Sequence, residues 1–133
     1  MVIADIYFMK RKTVFKAIPL TPYTVDLWVI ISNDPFYAVV EFNQKNKDLG
    51  LKWGKDWAAW TEDVFYKDNY LTVVFDAACI DPETIAHEAI HIKNRVMEHA
   101  GWNHDLKNDE PEAYLTGFIV KEIHKVLEDF KKR

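Results

Sequence analysis

The spacing of apolar residues divides the chain into two parts. From Ile3 to Phe75 the apolar positions form short runs rich in β-branched and aromatic residues, which is typical of strands. The clearest runs are TVDLWVIIS at 24–32, FYAVVEF at 36–42, EDVFY at 62–66 and YLTVVF at 70–75. The residues NDP between the first two runs predict a hairpin turn. We therefore expect a mostly antiparallel sheet of about four or five strands.

After Asp81 the apolar residues recur with the period of an α-helix. Asp81 can cap a helix, Pro82 suits its first turn and Gly101 lies just past its expected end, which predicts a helix over 82–100. A second helix is predicted from Glu110 to the C-terminus. Its apolar face would consist of Leu115, Phe118, Ile119, Ile123, Val126, Leu127 and Phe130. Strands followed by helices indicate the α+β class, in a single domain over residues 1–133.

Composition excludes several classes of partner. The chain has 133 residues, of which 49% are hydrophobic, enough for a core. Its net charge is −4 and its dense basic runs are only three residues long, KRK at 10–12 and the terminal KKR, which disfavours nucleic acid and anionic membranes as partners. No apolar stretch approaches the roughly 18 residues of a membrane span. The N-terminal MVIADIYFMKRK has its charges after its apolar residues, the reverse of a secretory signal.

The sequence contains one cysteine, Cys79, so no internal disulfide can form. Its neighbours in FDAACI are apolar, and we expect a buried, unreactive thiol. Together with the composition, this favours a soluble protein of the cytoplasm.

The stretch TIAHEAIHIKN at 84–94 carries the candidate chemistry. His87 and His91 are four residues apart, so on a helix both imidazoles can bind one metal ion, with Glu88 beside them. This is the arrangement in which a carboxylate takes a proton from metal-bound water. A chain of this composition contains such a motif by chance about once in 80 sequences, so a metal-free helix is an alternative interpretation.

A catalytic zinc ion usually has three protein ligands and one water molecule. The metzincin pattern requires Gly and His where this chain has Asn94 and Met97, which excludes that subclass. The remaining candidates for the third ligand are Glu110 and Glu112, at the start of the second predicted helix.

Helical geometry favours Glu110 over Glu112. Glu112 falls within the predicted apolar face, and it also fits a capping box with Asp109. On the side of Glu110, the small residues Ala113 and Gly117 would let another helix approach closely. Glu112 remains the alternative.

An HExxH motif followed after 18 residues by Glu110 resembles the gluzincin branch of zinc metallopeptidases. Thermolysin-like enzymes also have a glycine seven residues after the ligand glutamate, as Gly117 is here. The resemblance covers about 84–119 and is closest to the short, stand-alone HExxH proteins of phage and prophage genomes. Their second helix begins with a segment similar to DEPEAYL at 109–115.

The resemblance implies a minimal zincin-like fold, with the HExxH helix under the sheet and an edge strand that can hold an extended peptide. It implies Zn²⁺ bound by His87, His91 and Glu110, with Glu88 as the general base and a peptide or protein as the substrate. For a phage protein, the location would be the cytoplasm of the bacterial host. Tyr114 stands where many gluzincins have an aspartate that orients a zinc-binding histidine.

The sequence therefore predicts a zinc-dependent metallohydrolase, and more specifically a metallopeptidase. The alternative is a non-catalytic zinc-binding accessory or interaction protein on the same scaffold. Trp53, Trp57 and Trp60 are expected to pack in the core, with an aromatic wall of a substrate cleft as the second interpretation.

Overall fold

The computed structural model describes residues 10–46, 51–54, 57–64 and 70–133, with the backbone alone at 62–64. Its elements are β1 (Thr13–Pro19), β2 (Asp26–Ser32), α1 (Pro35–Lys45), β3 (Ala59–Val64), β4 (Tyr70–Asp76), α2 (Pro82–His99) and α3 (Glu110–Lys132). These strands form a sheet in the order β1-β2-β4-β3. The two outer pairs are antiparallel, whereas β2 and β4 are parallel. The α+β class is confirmed, and the sheet is mixed.

The segment 36–42, which was expected to be a strand, lies in helix α1. The Asp34 side chain accepts a hydrogen bond of 3.2 Å from the backbone N–H of Tyr37, and Pro35 occupies the first position of the helix. NDP therefore begins a helix, and the predicted hairpin is wrong. The residues of α1 that face the sheet are spaced as one side of a helix, namely Ala38, Val39 and Phe42. Parallel strands need a long crossover connection, and here the connection from β2 to β4 contains both α1 and β3.

Helices cover both faces of the sheet. On one face, α2 and α3 pack against alternate residues of β2 and β4, including Leu27, Val29, Ile31, Leu71, Val73 and Phe75. On the other face, α1 packs against Ile30 and Val74. Six consecutive residues of β4, from Tyr70 to Phe75, are buried, as expected for a strand covered on both sides.

The two helices that follow the sheet agree with the predicted bounds. α2 begins after Asp81, whose side chain accepts hydrogen bonds of 2.7 Å from Thr84 N and 2.8 Å from Thr84 Oγ1. Gly101, just past its end, has a φ of 74°. Six of the predicted apolar residues of α3 are buried, but Phe118 is 41% exposed, and the buried face includes Glu112 instead.

None of the described helices combines the length and the apolar character that crossing a membrane requires. Residues 1–9, on which the prediction about a secretory signal rests, and the KDN insert at 67–69 lie outside the described residues.

Candidate metal centre

The two histidines of the HExxH stretch lie side by side on an exposed side of α2. The Nε2 atoms of His87 and His91 are 3.2 Å apart, and their ring centroids are 4.8 Å apart. Two nitrogen ligands of a tetrahedral zinc ion, each about 2.05 Å from the metal, lie about 3.3 Å from each other. The observed separation therefore fits two imidazoles that share one ion. It also fits an N–H···N hydrogen bond between neutral rings.

Glu88, between the histidines in sequence, is a buried carboxylate that is only 6% exposed. The hydroxyl of Thr61, on β3, donates a hydrogen bond to its Oε2 atom. Burial of a carboxylate costs free energy unless hydrogen bonds compensate it, so this contact stabilises Glu88 in place. Because Thr61 lies on β3, the same hydrogen bond joins the HExxH helix to the edge of the sheet.

His87, Glu88 and His91 line one cleft of about 790 Å³ between α2 and β3. Trp57 and Trp60 contribute to its opposite wall, and their rings stack with a centroid distance of 4.3 Å and an interplanar angle of 17°. Trp60 is 39% exposed. The prediction of core packing is therefore wrong for this pair, and the alternative, an aromatic wall of a cleft, describes their position.

Glu112, one of the two candidates for the third ligand, is engaged elsewhere. Its Oε1 atom lies 3.2 Å from Lys93 Nζ and 2.8 Å from His104 Nδ1. Lys93 lies about 160° around α2 from His91 and about 120° from His87, so these contacts turn Glu112 away from the imidazoles. The hydrogen bond with His104 lowers the pKa of Glu112, burial opposes this, and Lys93 lowers the pKa further.

Glu110, the favoured candidate, is exposed as the first residue of α3 and is not part of the cleft lining. Ala113 is also exposed, and a Cβ atom built on Gly117 would meet no atom within 4 Å. The close helix approach predicted at these two positions is therefore wrong.

The capping box proposed for Glu112 is wrong as well, because the Asp109 side chain makes no capping hydrogen bond. Among the described residues, no three His, Cys, Asp or Glu side chains come together where they could hold a metal ion. Within that part of the chain the histidine pair has no third protein ligand in its immediate surroundings, and Glu110 as that ligand stays a prediction.

Other residues differ from expectation in ways that affect the cleft. Cys79 is exposed and lines the cleft, so the prediction of a buried thiol is wrong. The apolar neighbours of Cys79 do not indicate burial here, because the residue lies in the turn between β4 and α2, outside the strand. Tyr114 is exposed and lies outside the cleft lining.

Sequence reasoning missed Thr61 and Arg95, both of which line the cleft. A signal existed for Arg95, which follows Glu88 by seven residues and so lies on the same side of α2. No sequence pattern indicates Thr61, because its contact with Glu88 depends on the position of β3 in the sheet.

A comparison with models of protein families finds no match, and neither do comparisons with curated proteins and with solved structures. The chemistry of the cleft is therefore inferred from its own residues. Imidazole nitrogens are common zinc ligands, and the spacing of this pair fits that ion.

Proposed function

We propose that the protein is a zinc-dependent metallohydrolase of zincin-like fold that cleaves peptide bonds, with Glu88 as its general base. One observation carries the proposal: a buried carboxylate opens into the same cleft as two imidazoles whose Nε2 atoms are 3.2 Å apart. Burial of Glu88 costs stability, and an acid in such a position beside metal-binding groups is typical of a functional site.

His87 and His91 would hold the zinc ion, which when bound would polarise the scissile carbonyl and make a water molecule easier to deprotonate. Glu88 accepts the proton of that water and returns it to the nitrogen of the leaving amine. The hydroxyl of Thr61 holds Glu88 Oε2, so Oε1 is the atom that receives the proton. Among the described strands, β3 pairs only with β4, which leaves its outer edge available to an extended peptide.

We keep Glu110 as the proposed third ligand. Within the described residues its carboxylate makes no hydrogen bond or ion pair, whereas Glu112 is held by Lys93 and His104. For Glu110 to bind the same ion as the histidines, the first turn of α3 would have to move toward the cleft. This movement distinguishes the proposal from one in which the two histidines bind metal with waters alone.

The first test is the metal content of protein purified without a histidine tag. We expect one zinc ion per chain in the wild type, and its loss in His87→Ala and His91→Ala. Glu110→Ala should lose most of the zinc, whereas Glu112→Ala, the matched control two residues away, should keep it. A wild type that holds no zinc after reconstitution, or His91→Ala protein that keeps it, would contradict the proposed site.

The second test separates metal binding from catalysis. Glu88→Gln should retain zinc but lose peptide hydrolysis by about 100-fold or more, because the amide cannot accept the proton. Glu128→Gln, an exposed position on α3 outside the cleft lining, is the control and should keep its activity. Undiminished hydrolysis by zinc-loaded Glu88→Gln would exclude Glu88 as the general base.

A non-catalytic zinc-binding protein is the second candidate. It is favoured by one observation, that no group of three potential ligands surrounds the histidine pair among the described residues. It predicts zinc in the wild type, no cleavage of a peptide library, and no effect of Glu88→Gln on the binding of a partner.

A further inference from the structure

Arg95 lies at one end of the cleft, on the same side of α2 as Glu88. It follows Glu88 by seven residues, which corresponds to about 20° of rotation and about 10 Å along the helix axis. Among the described residues, its guanidinium forms an ion pair only with Glu98, with 3.5 Å between NH1 and Oε2. Both side chains of that pair are exposed, so the ion pair is weak and contributes little to stability. Arg95 is therefore available to bind a ligand.

The opposite end of the cleft has the opposite charge. The backbone N–H of Asp76 donates to the carbonyl of Ala58 at 2.9 Å, which places the start of β3 beside the turn that leads to α2. Thr61 then meets Glu88 midway along α2. β3 and α2 therefore run along the cleft in the same direction.

Trp57 thus lies at the end of the cleft that holds the start of α2, where Asp81 and Glu83 also line it. Arg95 lies at the far end. Among the described residues that line the cleft, Arg95 is the only lysine or arginine. An extended ligand would meet carboxylates at one end of the cleft and a guanidinium group at the other.

We propose that Arg95 binds a carboxylate of the substrate, so that the cleft selects peptides with an acidic residue about three positions from the scissile bond. This inference rests on the proposed function. An extended peptide advances about 3.3 Å per residue, so the 10 Å between Glu88 and Arg95 corresponds to about three residues. Guanidinium binds carboxylate through two parallel hydrogen bonds, a geometry that lysine cannot reproduce.

The test uses fluorogenic peptides with one fixed cleavable bond and Glu, Gln or Lys at each position on either side. For zinc-loaded wild type, we expect kcat/KM to be about three- to tenfold higher for Glu than for Gln at one position, and lower for Lys. Arg95→Gln should remove this preference and Arg95→Glu should reverse it toward Lys. High salt should weaken it, because the pair is exposed.

Arg133→Glu is the matched control. Arg133 is an exposed arginine with an ion pair to Asp129, and it lies outside the cleft lining. Its substitution should leave the preference of the wild type unchanged. If Arg95→Glu instead slowed the cleavage of all peptides equally, the inference would be overturned while the proposed hydrolysis would stand.

Binding of the same peptides to zinc-loaded Glu88→Gln, followed by fluorescence anisotropy, separates the two proposals. Preferential binding of acidic peptides that disappears in the double variant Glu88→Gln/Arg95→Gln supports the inference, even if the wild type cleaves nothing. Cleavage without any charge preference contradicts the inference alone. Peptides that are neither cleaved nor bound contradict both.

Discussion

The hydroxyl of Thr61 is the side-chain group that connects the edge of the sheet to the proposed general base. Thr61→Val keeps the shape of the side chain but removes the donor, so Glu88 is no longer held in one orientation. We expect kcat to fall about tenfold, with KM and zinc content unchanged. Steady-state kinetics and metal analysis measure these quantities.

Thr61→Ser is the control for this prediction, since it keeps the hydroxyl and should restore most of kcat. A fall in zinc content or in melting temperature that parallels the fall in kcat would show that Thr61 supports the fold and does not position Glu88.

A second set of contacts, among Lys93, His104 and Glu112, makes stability depend on pH. The pKa of Glu112 is lowered from its usual 4.5, first by the hydrogen bond with His104. The folded state therefore binds this proton more weakly than the unfolded state. The resulting stabilisation is complete above the unfolded pKa and is lost as the pH falls through the lower folded pKa.

We therefore expect Glu112→Gln to unfold at a lower urea concentration than the wild type at neutral pH, with the difference shrinking below pH 4.5. Urea titrations at several pH values measure it. His104→Ala should also make stability less dependent on pH, because it removes the hydrogen bond that lowers the pKa of Glu112 most. A difference in urea midpoint between wild type and Glu112→Gln that does not change with pH would contradict this account.

The sequence predicts these residue-scale features only where they lie within one helix. His87, Glu88 and His91 are brought together by the helical period alone, and all three line one cleft. The partners Thr61 and Lys93 are 27 and 19 residues away from the acids they contact, so no local pattern reveals them.

At the scale of elements, α1 and α2 each begin with an aspartate that caps the helix, whereas α3 does not. Asp81 caps α2 through Thr84, and this hydrogen bond lowers the pKa of Asp81. Asp109 precedes α3 but its side chain makes no capping hydrogen bond. We expect Asp81→Ala to lower the melting temperature by a few degrees and Asp109→Ala to change it little.

Differential scanning calorimetry measures the melting temperatures of both variants. A chelator is present because bound metal would mask small differences in melting temperature. Equal losses for the two variants would mean that the charge near the helix N-terminus, and not the hydrogen bond, stabilises α2.

Both α1 and α2 begin at an Asp-Pro dipeptide, but the sequence pattern indicates a helix only after the second. At α2 the apolar residues that follow show a clear helical period, whereas FYAVVEF in α1 is apolar on nearly all sides. Phe36 and Tyr37 are in fact exposed, and the run is helical because Ala38, Val39 and Phe42 share one side. Continuous apolar runs do not distinguish a strand from a helix.

At the scale of the whole molecule, stability depends on the layer in which α2 packs on the sheet. Ile92 is fully buried in this layer, whereas Ile90, two residues earlier on the same helix, is 46% exposed. We expect Ile92→Ala to lower the free energy of unfolding by about 2–5 kcal/mol. Ile90→Ala should change it by no more than about 0.5 kcal/mol.

Equilibrium urea unfolding of both variants, with the metal removed, measures the difference. Similar losses at the two positions would show that α2 packs in a different orientation, which would also change the side on which the histidines lie.

The sequence predicted the α+β class and the strand YLTVVF, but not the strand order. Which strands become neighbours depends on the connection that follows β2, in which α1 leads to β3 at the edge of the sheet and the chain then returns to β4 beside β2. If 36–42 is taken as a strand, the sequence does not indicate that β3 is the edge strand beside the HExxH helix.

The parallel pairing of β2 with β4 has a consequence for how the chain acquires its structure. Residue 26 aligns with residue 70, so the centre of the sheet cannot form until α1 and β3 have left the ribosome. Contacts so distant in sequence slow folding. Until they form, LWVII of β2 and LTVVF of β4 remain uncovered, and each is a short, uncharged β-branched stretch of the kind that aggregates. The nascent protein should therefore depend on chaperones more than its small size suggests.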